Sequence, residues 1–221
     1  MVNAHKLTVS KTAHFYTLGN LSGQTRRFWI VCHGYGQLAK TFIRRFEVLN
    51  TDEDFVLAPE GLSRFYWGGF TGNVVASWMT REDRLDEIND YCNYLQMLYD
   101  HYLPQMPSDV QIILLGFSQG CATQCRWIMK KLPHFHQLVL WAGLLPDDLD
   151  FTLQTDYFLS KKLYFVYGLQ DEFLTEERLQ WQLNFAKDQM LEFHVFPFEG
   201  GHEVDKKALQ EFAATLSQHC K

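Results

Sequence analysis

Apolar residues in this chain fall in short solid blocks, separated by polar stretches that carry apolar residues at helical spacing. Phe28-Trp29-Ile30-Val31-Cys32, Phe55-Val56-Leu57-Ala58 and Ile112-Ile113-Leu114-Leu115 are apolar throughout. Runs of this length without alternation mark strands covered on both faces. The pattern predicts such strands over 27–32, 54–58, 110–115, 136–141, 162–167 and 190–196. Residues 6–17 alternate in places and reach a turn at Leu18-Gly19-Asn20, which predicts antiparallel strands at a sheet edge. Between the blocks, Leu38, Phe42, Phe46 and Leu49 recur every three or four residues. So do Leu85, Ile88, Cys92, Leu95, Tyr99 and Tyr102, and then Val204, Ala208, Phe212 and Leu216. Each set predicts a helix with one stripe on the sheet: over 38–49, behind a capping box at Thr80–Asp83, and over 203–219. Two more helices are expected over 121–132 and from a Thr175 cap to Asp188. Residues 60–80 and 146–160 read as irregular. Strands alternating with helices imply a fold of the α/β class, a mostly parallel central sheet with helices on both faces. No linker or repeat interrupts it, so one domain over 1–221 is expected.

Composition narrows the classes. A net charge of −6 argues against nucleic acid as a partner, and the only basic clusters are scattered pairs. Five cysteines without a regular framework suit a reducing compartment. Cys121 and Cys125, one helical turn apart, have no further ligands at finger spacing, so no metal is expected there. The N-terminus has no apolar core of a secretory signal, and no run reaches the length of a membrane span. The reading is a soluble cytoplasmic protein without a transmembrane segment.

Candidate chemistry lies just past strand ends, where open α/β sheets gather their reactive groups. Gly116-Phe117-Ser118-Gln119-Gly120 joins a predicted buried strand to a predicted helix. A sharp strand-to-helix turn on serine is a nucleophile elbow. The competing reading is an ordinary turn with Ser118 as a helix cap. Asp171 follows the strand over 162–167 closely, and His202 follows the last strand within Gly200-Gly201-His202. Ser118, Asp171 and His202 stand in the order of the α/β-hydrolase triad, separated by 53 and 31 residues. Serine is a weak nucleophile until an imidazole takes its proton, and a carboxylate must hold the imidazole in the right tautomer. Glu172, Asp147, Asp148 and Asp150 compete for the acid role, and eight other histidines compete with His202. The intermediate's oxyanion needs two donors. The Gln119 amide is one, and Tyr35 in the turn His33-Gly34-Tyr35-Gly36 is the choice for the other, with His33 anchoring that turn.

Taken together, Phe28–Gly36, Leu114–Gly120, Tyr167–Glu172 and Gly200–Glu203 resemble the phospholipase/carboxylesterase family, which includes acyl-protein thioesterases. The elbow G-F-S-Q-G, the H-G-x-G turn, the acid after G-x-x-D and the G-G-H all have counterparts here. The resemblance covers nearly the whole chain and implies the α/β-hydrolase fold. It also implies a metal-independent serine hydrolase of short to medium acyl esters, thioesters or lysophospholipids. The chain departs from the family at Tyr35, where leucine is usual, and at Gln37-Leu38-Ala39, where Asp-x-Gly is usual. It also has Cys121 after the elbow in place of a small glycine, and a different stretch over 61–80.

The expected activity is cleavage of carboxylic esters through an acyl-enzyme, with no cofactor. Thioesterase or lysophospholipase activity is the nearest alternative, and a non-catalytic ligand-binding member of the fold is the remote one. The expected partner is a small-molecule ester or acyl substrate, with homodimerisation left open. Aromatic residues of the 61–80 stretch, among them Phe65, Tyr66, Trp67, Phe70 and Trp78, either line an acyl groove or cover the sheet edge. Trp67, Phe70 and Trp78 are the substrate-binding candidates.

Overall fold

A computed structural model describes residues 1–217 of the chain. The predicted end of the last helix at His219 and the cysteine at 220 lie outside the described residues. Strands β1 (Phe15–Leu18), β2 (Arg27–Cys32), β3 (Asp54–Pro59), β6 (Gln111–Phe117), β7 (Gln137–Trp141), β8 (Lys162–Gly168) and β9 (Phe193–Phe198) form one sheet, ordered β1-β3-β2-β6-β7-β8-β9. Strand β1 is antiparallel to β3, and every other pairing in this sheet is parallel.

The solid apolar blocks are explained by burial on both faces. Phe28, Ile30, Cys32, Ile112, Leu114, Leu138 and Leu140 point to one core, while Trp29, Val31, Ile113, Leu115, Val139 and Trp141 point to the other. The first core is covered by helices α2 (Arg84–Tyr102), α3 (Gln119–Lys131), α4 (Thr155–Phe158) and α5 (Glu176–Asp188). The second is covered by α1 (Ala39–Phe42), a 3-10 helix over Ile43–Val48, and α6 (Lys206–Ser217). Fully burying one such side chain is worth about 1.5–3 kcal/mol.

Several sequence expectations are corrected. Residues 6–13 form no strand; Leu7 and Val9 are exposed, so their alternation has no apolar face to bury. The helix expected over 38–49 tightens at Ile43, where Ile43, Phe46 and Leu49 recur every three residues, the repeat of a 3-10 helix. No capping box forms at Thr80–Asp83. Asp83 takes left-handed geometry with φ 48°, and Glu87 instead accepts the Thr80 amide at 2.6 Å and the Ser63 hydroxyl at 3.0 Å. Leu85, placed in the buried stripe by its spacing, is exposed. The last strand begins at Phe193, because Met190 turns left-handed after α5.

The stretch over 60–80 is an ordered hairpin, β4 (Ser63–Tyr66) paired antiparallel with β5 (Val74–Ser77). Residues 146–160 hold α4 and a 3-10 turn over Phe151–Gln154, whose Asp150 cap accepts the Thr152 amide at 3.0 Å.

Candidate active site

Ser118 sits between β6 and α3 with φ 51° and ψ −115°, a backbone conformation that costs on the order of 1–3 kcal/mol for a residue with a side chain. The flanking glycines make it sterically feasible. A Cβ at Gly116 would lie 2.3 Å from the Gly120 carbonyl oxygen, and one at Gly120 would lie 2.1 Å from that of Cys32. These contacts let α3 start against the end of β2. Ser118 makes no side-chain cap bond to the helix, which removes the reading of this serine as a cap.

Its Oγ lies 3.0 Å from His202 Nε2, and His202 Nδ1 lies 2.8 Å from Asp171 Oδ2. The Asp171 carboxylate is sealed from solvent, and its other oxygen accepts the amides of Phe173 at 2.8 Å and Leu174 at 3.2 Å. An ionised carboxylate only accepts, so Nδ1 of His202 carries a proton and Nε2 of the neutral ring is free to accept from the serine. Phe117 and Phe173 pack on the imidazole, with centroids 5.0 and 4.7 Å away. The competing acid Asp148 is bound elsewhere, to Arg84 at 2.7 Å and Arg126 at 2.8 Å.

His33 is buried and does not approach Ser118 through its ring. Its Nε2 accepts the Gly61 amide at 3.0 Å, and its Nδ1 donates to the Gly34 carbonyl at 2.7 Å. Burial pushes its pKa below the ordinary histidine value, consistent with a neutral ring spent on both sides. The turn that follows is stitched to the hairpin. The Gly34 amide goes to Gln37 Oε1 at 2.9 Å, the Gly36 amide to the Ala76 carbonyl at 3.0 Å, and the Ala76 amide back to the Gln37 carbonyl at 3.0 Å. Among the described residues, no acceptor takes the amides of Tyr35 or Gln119. The Gln119 side chain binds the hairpin as well, accepting the Trp78 amide at 3.1 Å and donating to the Met79 carbonyl at 2.9 Å.

A cavity of about 530 Å³ opens in front of Ser118 and His202. Its walls include Tyr35, Trp67, Ala122, Leu145, Phe173 and, at charged positions, Arg126 and Arg178. Of the three substrate-binding candidates, only Trp67 reaches it. Trp78 is 1% exposed; its indole N–H donates to the His33 carbonyl at 2.8 Å and its ring packs on His33 and Tyr91. It therefore supports the turn from behind and is no cavity wall. Phe70 is 95% exposed near the hairpin tip, away from the cavity, because the Gly68-Gly69 turn projects it into solvent. The sequence reading missed Arg126 and Phe173. Ala122 and Arg126 lie four residues apart on one face of α3, the helix that follows Ser118, a signal that was present once the elbow was fixed.

Solved structures share this architecture. Acyl-protein thioesterase 2 of Zea mays superposes with a TM-score of 0.72 at 16% identity, over 94% of this chain and 99% of its own. Esterase PE8 gives 0.66 at 18%, over 94% and 99%. A phospholipase/carboxylesterase of Dyadobacter fermentans gives 0.62 at 18%, over 95% and 99%. Identities this low establish the α/β-hydrolase fold alone. No curated protein matches the chain in sequence. The profile of the family described as serine hydrolase (FSH1) matches residues 22–211, and by that match, spanning most of the sequence, the chain belongs to the serine hydrolase (FSH1) family.

Proposed function

We propose that this serine hydrolase cleaves carboxylic esters of short to medium acyl chains through an acyl-enzyme, with Ser118 as nucleophile, His202 as general base and Asp171 as its orienting carboxylate. The observation that carries the reading is the continuous hydrogen-bonded line from Ser118 Oγ through His202 to a sealed Asp171, facing an open cavity. Ser118 Oγ attacks the carbonyl carbon while its proton passes to His202 Nε2. The tetrahedral intermediate collapses, the bond to the leaving oxygen breaks, and Nε2 returns the proton to that oxygen. Water then repeats the sequence on the acyl-serine and releases the acid. The unspent amides of Tyr35 and Gln119 are the oxyanion donors in this reading. Losing one such donor typically costs about 3 kcal/mol of transition-state stabilisation.

A cavity of about 530 Å³ falls within the usual size of small-molecule sites, and its largely apolar walls suit an acyl chain. Thioesters and lysophospholipids are the second reading, favoured by the structural likeness to a thioesterase. Kinetics on 4-nitrophenyl esters of graded chain length, acyl-CoA and lysophosphatidylcholine separate the two. The proposal expects the highest kcat/KM on the shorter simple esters, abolished in Ser118→Ala. Turnover confined to acyl-CoA or lysophosphatidylcholine overturns it in favour of the second reading.

A further inference from the structure

One feature of the cavity lies outside the hydrolytic machinery. Its wall includes two arginines, Arg126 and Arg178, and no acidic residue among the described residues. That polarity runs against a chain whose net charge is −6. Ala122 and Arg126 lie one turn apart on α3, which starts directly after Ser118, so Arg126 lies about 10 Å along the helix axis from the first residue of the helix. Its side chain is only 11% exposed. It donates twice to Asp148, at 2.8 and 3.4 Å, and meets the Met79 sulfur at 3.4 Å, a weak acceptor. Asp148 also accepts from Arg84 at 2.7 Å, so one carboxylate answers two guanidiniums and the cluster keeps a positive charge. Arg178 is exposed, donates to the Phe173 carbonyl at 2.8 Å, and has no acidic partner among the described residues. A neutral acyl chain gives these two cations nothing to bind. A guanidinium pairs best with a carboxylate or phosphate, in a geometry that can be bidentate.

We propose that Arg126 and Arg178 form an anion-recognising end of this cavity, and that the preferred substrates carry a free carboxylate on the acyl chain, as half-esters of short dicarboxylic acids. The inference deepens the esterase reading of the same site and rests on it for the turnover arm of its test. An anionic group can also arrive on the leaving portion, so the test places the charge on each side in turn.

The experiment compares kcat/KM of the full chain on mono-4-nitrophenyl adipate with that on its methyl-capped diester, and then kcat/KM on the hexanoyl ester of 4-hydroxybenzoate, whose carboxylate is on the leaving group, with that on the hexanoyl ester of methyl 4-hydroxybenzoate. The expected result is a preference of about ten-fold or more for the free acyl carboxylate, the size of one charge-assisted hydrogen bond. Arg178→Gln should reduce that ratio severalfold and Arg178→Lys should restore part of it. Equal kcat/KM for the free and capped esters overturns the proposal, as does a preference seen only with the charge on the leaving group. Calorimetric binding of adipamate against neutral adipamide needs no turnover. Tighter adipamate binding, weakened in Arg178→Gln, supports anion recognition even if neither ester is cleaved, in which case the hydrolase reading alone fails. Equal binding of the two compounds overturns the anion site whatever the kinetics.

Discussion

At the scale of residues, the site depends on which proton each ring holds. Asp171 accepts from His202 Nδ1 at 2.8 Å and from two backbone amides through its other oxygen. Asparagine there presents an N–H where an acceptor is needed and favours the wrong imidazole tautomer. In the proposed mechanism Asp171→Asn therefore lowers kcat by about 10⁴ with a small change in KM, measured on a 4-nitrophenyl ester. His33 makes a different prediction, about stability. Burial first, against the raising effects of the Gly34 carbonyl and of Glu60, holds its pKa below the ordinary 6.5. The unfolded chain then binds a proton at acid pH that the folded chain resists. This contribution is fully present above the unfolded value and is lost as pH falls through it toward the folded value. Burial lowers His134 and His136 in the same direction. The melting temperature should fall between about pH 7 and about pH 5, and His33→Gln should flatten part of that fall. An unchanged slope in the variant contradicts the assignment.

At the scale of elements, the hairpin β4–β5 is the part least visible in the sequence. Its aromatic residues read equally as groove lining or cover, and the structure divides them. Tyr35, Phe65 and Trp67 cluster with centroids 5.4–6.2 Å apart at the mouth, while Trp78 is buried behind the turn. Periodicity shows which residues are apolar, and only the tertiary pairing through Gly36 and Ala76 decides which side each one faces. The Gln119 side chain fastens the hairpin's end to α3 through the Trp78 amide and the Met79 carbonyl. Gln119→Ala leaves both backbone groups without this partner, at about 1–3 kcal/mol for each that stays buried. The variant should lose stability in urea and lose kcat more than KM, since the turn carrying the Tyr35 amide loosens. A variant with wild-type stability contradicts a fastening role for the hairpin. Strands β2, β3, β6, β7 and β8 were legible within a residue or two, because burial on both faces leaves no alternative for a solid apolar run.

At the scale of the molecule, the sheet brings residues 118, 171 and 202 to one edge, since β6, β8 and β9 are parallel and their carboxyl ends face the same way. That convergence was legible from residue order alone, whereas most of the walls of the cavity were not, because they come from the loops after β2, β7 and β8, the hairpin turn and single residues of α3 and α5, whose contacts depend on packing. The far edge is held by a buried charge. Arg27 binds Asp54 at 2.5 and 2.7 Å, and the Trp29 indole N–H donates to the same carboxylate at 2.7 Å. Asp54 is 1% exposed, so Asp54→Ala takes the buried carboxylate away from the Arg27 guanidinium and removes the acceptor of the Trp29 indole N–H, and should cost about 3–5 kcal/mol in urea unfolding. A loss below about 1 kcal/mol would show that solvent or Glu53 replaces the partner. Peptide mapping after reaction with a fluorophosphonate decides whether Ser118 is the nucleophile. A single phosphonyl adduct is expected on the peptide carrying Ser118 at neutral pH, absent in Ser118→Ala and suppressed in His202→Gln. No adduct on the wild-type chain, or one that persists in Ser118→Ala, would contradict it.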